Sequence, residues 1–344
     1  TIAANGTLSA PRGNLDLAGS FDNSSTIVDS NGYYGFSPNS GTVTMAAASN
    51  ITINGTGTVE PKFNNLTYTG TSDVRVAKDI TVEDTLLING TRFLFGSTAG
   101  GGATDATLTM GTTAAKGTLT VNSGKTFDFY VYADGHEDKI QGASSLFPVD
   151  ITVNGTMNFS VTTSEPDTGK AQLANINYIG ALTLDNGDKV ELTGDCEFDA
   201  VTVSSGATLD LNGQRAEFSG LLDIDGTIDT DNSMLFLGGG IDYDGQAWNN
   251  GATSDLIFTG AGTTNDFAGQ AYNTIMFNGS GEHKLNWTTD FGATPFIVAS
   301  NFKPEHNFGC TDLTIVTGAT FDADVDTHTI AGDFTMSGGL IGKS

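Results

Sequence analysis

Val201–Asp231 reads VTVSSGATLDLNGQRAEFSGLLDIDGTIDTD and contains one phrase twice. VTVSSGATLDL opens at Val201, and LLDIDGTIDTD opens at Leu221, 20 residues later. Each is an alternating strand, a small polar turn and a second alternating strand. Successive side chains of a strand point to opposite faces. In Thr208–Gly213 (TLDLNG), Leu209 and Leu211 therefore share one side, and Thr208, Asp210 and Asn212 the other. The phrase recurs at Ile151–Val161 (ITVNGTMNFSV) and Leu313–Val325 (LTIVTGATFDADV). In the latter, Phe321, Ala323 and Val325 are expected inward and Asp322, Asp324 and Asp326 outward. Looser copies are Ile51–Val59, Leu119–Phe129 and Leu182–Leu192.

Recurrence of one supersecondary phrase means that a single copy cannot bury its apolar face and must stack on the next. The expected fold is all-β, a parallel β-solenoid (β-helix) with roughly 20-residue rungs and irregular loop insertions. It is read as one elongated repeat domain over 1–344, less regular in 1–150 and more regular in 151–344. Asn-Gly pairs at 5–6, 31–32, 54–55, 89–90, 154–155, 186–187, 212–213, 250–251 and 278–279 mark turns. They would also suit the hairpins of tandem β-sandwiches, but the 20-residue recurrence is what stacked rungs require. No sustained i, i+3, i+4 pattern occurs, so helix content should be very low. Ser97–Ala106 and Gly238–Gly251 read as Gly-rich loops or junctions. Ile2–Leu17 and Leu313–Ser344 still look like repeats, with no polar cap at either end. The expectation is a piece of a longer chain, or ends that stack on neighbouring copies.

Composition narrows the function. Of 344 residues, 14 are Lys or Arg and 40 are Asp or Glu, a net charge of −26 with a pI near 4.1. Such a surface repels nucleic acid, whose affinity comes from basic groups on phosphates, and an anionic membrane surface. It suits solubility in salt water or coordination of divalent cations. No apolar run approaches the ~18 residues of a membrane-spanning helix. The chain opens at Thr1 with no basic-then-apolar leader, so a signal peptide is expected to have been removed or to lie outside it. The 21 Phe are enough for a thin continuous core. Cys196 and Cys310 lie 114 residues apart. At ~20 residues and ~4.8 Å per rung that is ~27 Å along the axis, beyond the ~7 Å that a disulfide spans. Two buried, unbridged thiols are expected.

TLTVNSGKTFDF, FNNLTYTG, ATLDLNGQ and IAGDFTMSGGLIG resemble the repeat regions of bacterial surface proteins, namely autotransporter passengers and haemagglutinin-like adhesins. Phage fibres and other virion proteins use similar phrases. The resemblance spans about two-thirds of the chain and carries over no catalytic residue. It implies an extracellular or cell-surface structural or adhesive rod. Its partners would be surface glycans, proteins or copies of itself, with no nucleic acid and no membrane insertion. The alternatives are a virion tail or capsid fibre, placing it on a virion surface, and a carbohydrate-active β-helix enzyme.

The densest candidate site is acidic. Asp223, Asp225, Asp229 and Asp231 alternate in LLDIDGTIDTDN, Asp242 and Asp244 follow, and Asp322, Asp324 and Asp326 repeat the pattern. Crowded carboxylates could share Ca²⁺, which takes 6–8 oxygen ligands, or could form a solvated face screened by salt. The EF-hand pattern is absent, and GGGIDYDG departs from the calcium-binding nonapeptide at its fourth position. Calcium is therefore the one candidate cofactor. For catalysis, only Asp134–Lys139 (DGHEDK) and Glu282–Lys284 mix acids, histidine and lysine. Both read as solvated turns, and the chain is taken as a non-enzyme. Thr42/Thr44, Thr67/Thr69, Thr118/Thr120 and Thr327/Thr329 resemble ice-binding ladders without a common rung period. Ten Asn-x-Ser/Thr sequons, from Asn5 to Asn286, are acceptors only where a host glycosylates.

Overall fold

A computed structural model describes residues 1–9, 13–27, 35–37, 39–54, 60–76, 78–96, 105–129, 137–159, 170–244, 247–251, 253–261, 264–267, 271–285, 289–291, 293–323, 327–337 and 340–342. Among these there is no helix. The chain divides into two compact units, 1–179 with 187–194, and 180–186 with 195–344. Each is a parallel β-solenoid, as the recurrence requires.

In the second unit, short strands fall into three parallel columns, one per face of the coil. The first face stacks Arg215–Phe218, Met234–Leu237, Asp255–Phe258, Thr274–Phe277, Phe296–Val298, Leu313–Ile315 and Phe334–Met336. The second face includes Leu222–Ile224, Ile241–Tyr243 and, further along, Glu282–Leu285, Asn301–Pro304 and Thr320–Asp322. The third carries Thr208–Asp210, Thr227–Asp229 and Ala247–Asn249, then Thr289–Asp290, Phe308–Cys310 and His328–Ile330. Register partners lie 17 residues apart at Phe296 and Leu313, 19 at Thr208 and Thr227, and 21 at Val201 and Leu222.

Alternation does what the sequence implied. Leu209 and Leu211 are buried, while Thr208 and Asp210 are half-buried and Asn212 is exposed. Inward residues of one column stack on their like. Phe218, Leu237, Phe258, Phe277, Val298 and Ile315 form one such row. The ring of Phe277 lies 4.8 Å from that of Phe258 and 4.3 Å from that of Phe302, tilted by 16° and 15°. Phe321 is inward and Ala323 half-buried; Val325 lies outside the described residues. Cys196 and Cys310 are both buried thiols, not bridged to each other.

Among the described residues, the Asn-Gly turns are corners between faces, not hairpins, since neighbouring strands within each unit run parallel; the pairs at 31–32 and 54–55 lie wholly or partly outside that set. Asn212 (φ 46°) and Gly213 (φ 73°) turn the chain in the left-handed region that this pair favours. Another glycine row has a different cause. At the corner after the first face, a Cβ on Gly260 would sit 1.8 Å from the carbonyl oxygen of Gly238, and one on Gly279 1.8 Å from that of Gly260. The rungs touch there backbone to backbone.

The first unit has the same three-column plan with wider spacing. Leu66, Leu86, Leu119, Ile151 and Tyr178 stack inward on one face. Ile53, Val76, Phe95 and Phe129 do so on a second. Asp73 pairs with Arg92 at 19 residues, but Arg92 pairs with Thr126 at 34. The extra residues lie between the second and third columns, as between Arg92–Phe95 and Thr107–Met110. Apart from two antiparallel bridges inside tight turns, Thr112 to Ala115 and Ser144 to Phe147, every described pairing in this unit is parallel.

Candidate functional site

The acidic stripe divides between two faces. Asp223 and Asp242 occupy matching outward positions on the second face, one rung apart. Asp225 and Asp244 follow just beyond their strand ends, where each amide donates to the preceding rung: Asp225 to Val203 at 2.8 Å and Asp244 to Ile224 at 3.1 Å. Asp266, one rung further, donates to Ile241 at 2.9 Å. Partial burial raises the carboxyl pKa of Asp223, reinforced by Asp225, Asp242 and Asp244. Burial likewise raises that of Asp266, with Asp242 and Asp244 adding to it. Each of the two costs less when protonated. The role of Asp266 was not visible in the sequence, because 22 residues separate it from Asp244 and only rung stacking brings them together.

Asp229 and Asp231 belong to the third face. Asp229 is half-buried on Thr227–Asp229, and its carboxylate accepts the amide of Asp231 at 3.2 Å, closing an Asx turn. Asp210 does the same for Asn212 at 2.9 Å. Asp322 pairs with Lys303 at 3.7 Å, and its Oδ1 is buried with no hydrogen-bond donor among the described residues. Asp324 and Asp326 lie outside the described residues. Among the described residues, no group of three or more acidic, histidine or cysteine side chains is placed to hold a metal ion.

Of DGHEDK, residues 134–136 lie outside the described set. Asp138 is fully buried and accepts the amide of Ala106 at 2.7 Å. Glu137 accepts from Gln172 at 2.8 Å, and Gln172 donates to Glu191 at 3.0 Å. Lys170 also pairs with Glu191. These groups cross-link rungs. His283 is buried, 5.4 Å from the ring of Phe277, and burial lowers its pKa. Lys284 pairs with Glu305 at 2.9 Å. The threonine rows do not persist: Thr44 stacks on Thr67, but Leu87 follows.

Two arrangements escaped sequence reasoning. In the first unit, Arg92 bridges Asp73 and the nearly buried Asp128, which also accepts from Asn158 at 2.6 Å. Beside them lies a shallow groove of about 200 Å³ lined by Asn50, Thr52, Asp73, Arg75 and Leu94. In the second unit, the outward positions of four successive strands on the first face are apolar, namely Phe236, Ile257, Met276 and Ile297. Their signal in sequence is the unbroken apolar runs MLFL, LIF, IMF and FIV, where alternation should have placed a polar residue. No family model matches the chain, and neither a curated protein nor a solved structure is significantly similar to it.

Proposed function

We propose that the chain is an extracellular structural and adhesive rod, which spaces or presents a binding surface and performs no catalysis. The observation that supports this is the stack itself. Within each unit, interior strands pair with a rung on either side, and inward rows of Leu, Ile, Val and Phe run from rung to rung. Such stacking leaves few open strand edges and gives stiffness without a large globular core. The high negative charge keeps such a surface soluble and discourages lateral self-association in dilute salt. Its partners would be surface glycans or proteins.

Native mass by light scattering and shape by negative-stain microscopy, with and without a calcium chelator, test this reading. A thin monomeric particle unchanged by chelation is the expected result. Trimers would move the assignment to a virion fibre, and turnover of a polysaccharide panel would move it to a carbohydrate-active enzyme. Collapse on chelation would make the carboxylates around Asp223 true calcium ligands.

A further inference from the structure

Single exposed apolar residues are ordinary on a protein surface, whereas a contiguous row of them in a chain of net charge −26 calls for a reason. The first face of the second unit carries such a row. Phe236, Ile257, Met276 and Ile297 stand in register on four consecutive rungs, all half-buried by one another and open on their outer side. Met234, beside Phe236, is 39% exposed. Acids border the row. Glu197 and Glu217 continue it beyond Phe236, Asp255 sits two residues before Ile257, and Asp312 two residues before Thr314, the next residue of the row. An apolar patch with a polar rim is the mark of an interaction surface.

The protein already demonstrates one mode of contact. Arg215 lays its guanidinium over the ring of Phe236, 4.5 Å from the centroid, and holds Glu217 at 2.5 Å. A cation supported by an apolar ring and an acidic rim is thus stable at one end of the row. From Ile257 onward the row continues beside Asp255 and Asp312, which accept one hydrogen bond each, from Asn273 Nδ2 and from the Asp333 amide, both at 2.7 Å, and as carboxylates have further acceptor capacity for a partner.

Dimensions select that partner. The four rungs span about 14 Å at ~4.8 Å each, and the three outward positions across the strands span a similar width. That is about 200 Å², well under the ~800 Å² per partner of a stable dimer. A second copy would also bring acidic rim against acidic rim. The row runs across the strands, so a strand laid along the sheet would meet only one of its members. A helix lying along the row would present residues i, i+4, i+7 and i+11 at about 5.4 Å per turn, a rise of about 16 Å over the same four contacts. The geometry points to a docking site for a cationic amphipathic helix, its apolar stripe on Ile257, Met276 and Ile297 and its Lys or Arg residues on Asp255 and Asp312. This deepens the adhesive part of the proposed function and rests on it.

The test uses the whole chain and a labelled 14-residue helical peptide, Leu at positions 1, 5, 8 and 12 and Lys at the flanks, read by fluorescence anisotropy. The comparison variant is Ile257→Thr with Met276→Thr. Threonine already holds the same row at Thr314 and Thr335, so the fold should persist, and an unchanged melting transition checks this. Saturable binding is expected, weakened at least tenfold by the double variant, by scrambling the peptide and by raising salt from 50 to 500 mM. Equal binding by the scrambled peptide or by the double variant would overturn the site. So would concentration-dependent dimers in sedimentation that the double variant abolishes, since the row would then serve self-association. Loss of peptide binding while the particle stays thin and monomeric would refute the helix site and leave the rod intact.

Discussion

Gly260→Ala is the sharpest test of how the rungs meet. The added methyl would lie 1.8 Å from the carbonyl oxygen of Gly238 and 2.8 Å from its carbon. Both atoms are backbone and cannot rotate aside. Restoring an ordinary carbon–oxygen contact of about 3.4 Å requires the rungs to part by about 1.5 Å at this corner, a third of their ~4.8 Å spacing. The bond across this gap, Thr259 to Leu237 at 2.9 Å, would stretch with it. Overpacking costs about 1–3 kcal/mol and the weakened bond about 1 kcal/mol, so a loss of about 3 kcal/mol is expected. Gly318→Ala supplies the reference: its φ is +85° and nothing lies within 4 Å, so only backbone strain of about 1 kcal/mol applies. Urea unfolding followed by tryptophan fluorescence reads this unit, since Trp248 and Trp287 both belong to residues 195–344. With a slope of about 2 kcal/mol per M, the Gly260 variant should shift its midpoint by about 1.5 M and the Gly318 variant by about 0.5 M. Equal shifts would refute backbone-to-backbone stacking at this corner.

Three further outcomes follow from packing and titration. Phe277→Ala should cost about 3–5 kcal/mol, because it empties the centre of a three-ring stack; Phe277→Leu should cost clearly less in the same denaturation. Asp223 has a raised pKa in the fold, so its contribution to stability is full below the unfolded value of about 3.8 and is lost as pH rises through the folded value. Asp223→Asn should therefore stabilise the chain at neutral pH and leave it little changed at pH 3.5, as melting temperatures would show. His283 behaves in the opposite sense. Its pKa is lowered, so its contribution is present above about 6.5 and is lost as pH falls from there, and His283→Gln should flatten the acid side of the melting profile between pH 6.5 and 5.

The fold was legible where polar and apolar residues alternate strictly. TLDLNG gives its own inward face, and its 20-residue echo gives the stacking. Legibility failed where a strand is apolar on both sides. In MLFL or TIMF, period-2 reasoning cannot tell Leu235 from Phe236 or Phe277 from Met276; only the register with neighbouring rungs decides. The acidic site was half legible for the same reason. Asp223 and Asp225 are close in sequence and lie together, whereas Asp229 and Asp231 are equally close and turn onto another face. Asp266 joins the first pair through stacking alone. Bridges such as Arg92 to Asp128, 36 residues apart, carry no local signature.

The variable distance between register partners has an evolutionary consequence. Partners 17 to 24 residues apart in one unit and 19 to 34 in the other stay in step, because each strand takes its position from the rung below and not from the length of chain that led to it. Unequal recombination between neighbouring repeats would then add or remove whole rungs at little cost, with the break falling in a corner. A lineage could thus change the number of rungs in such a unit without redesigning its core.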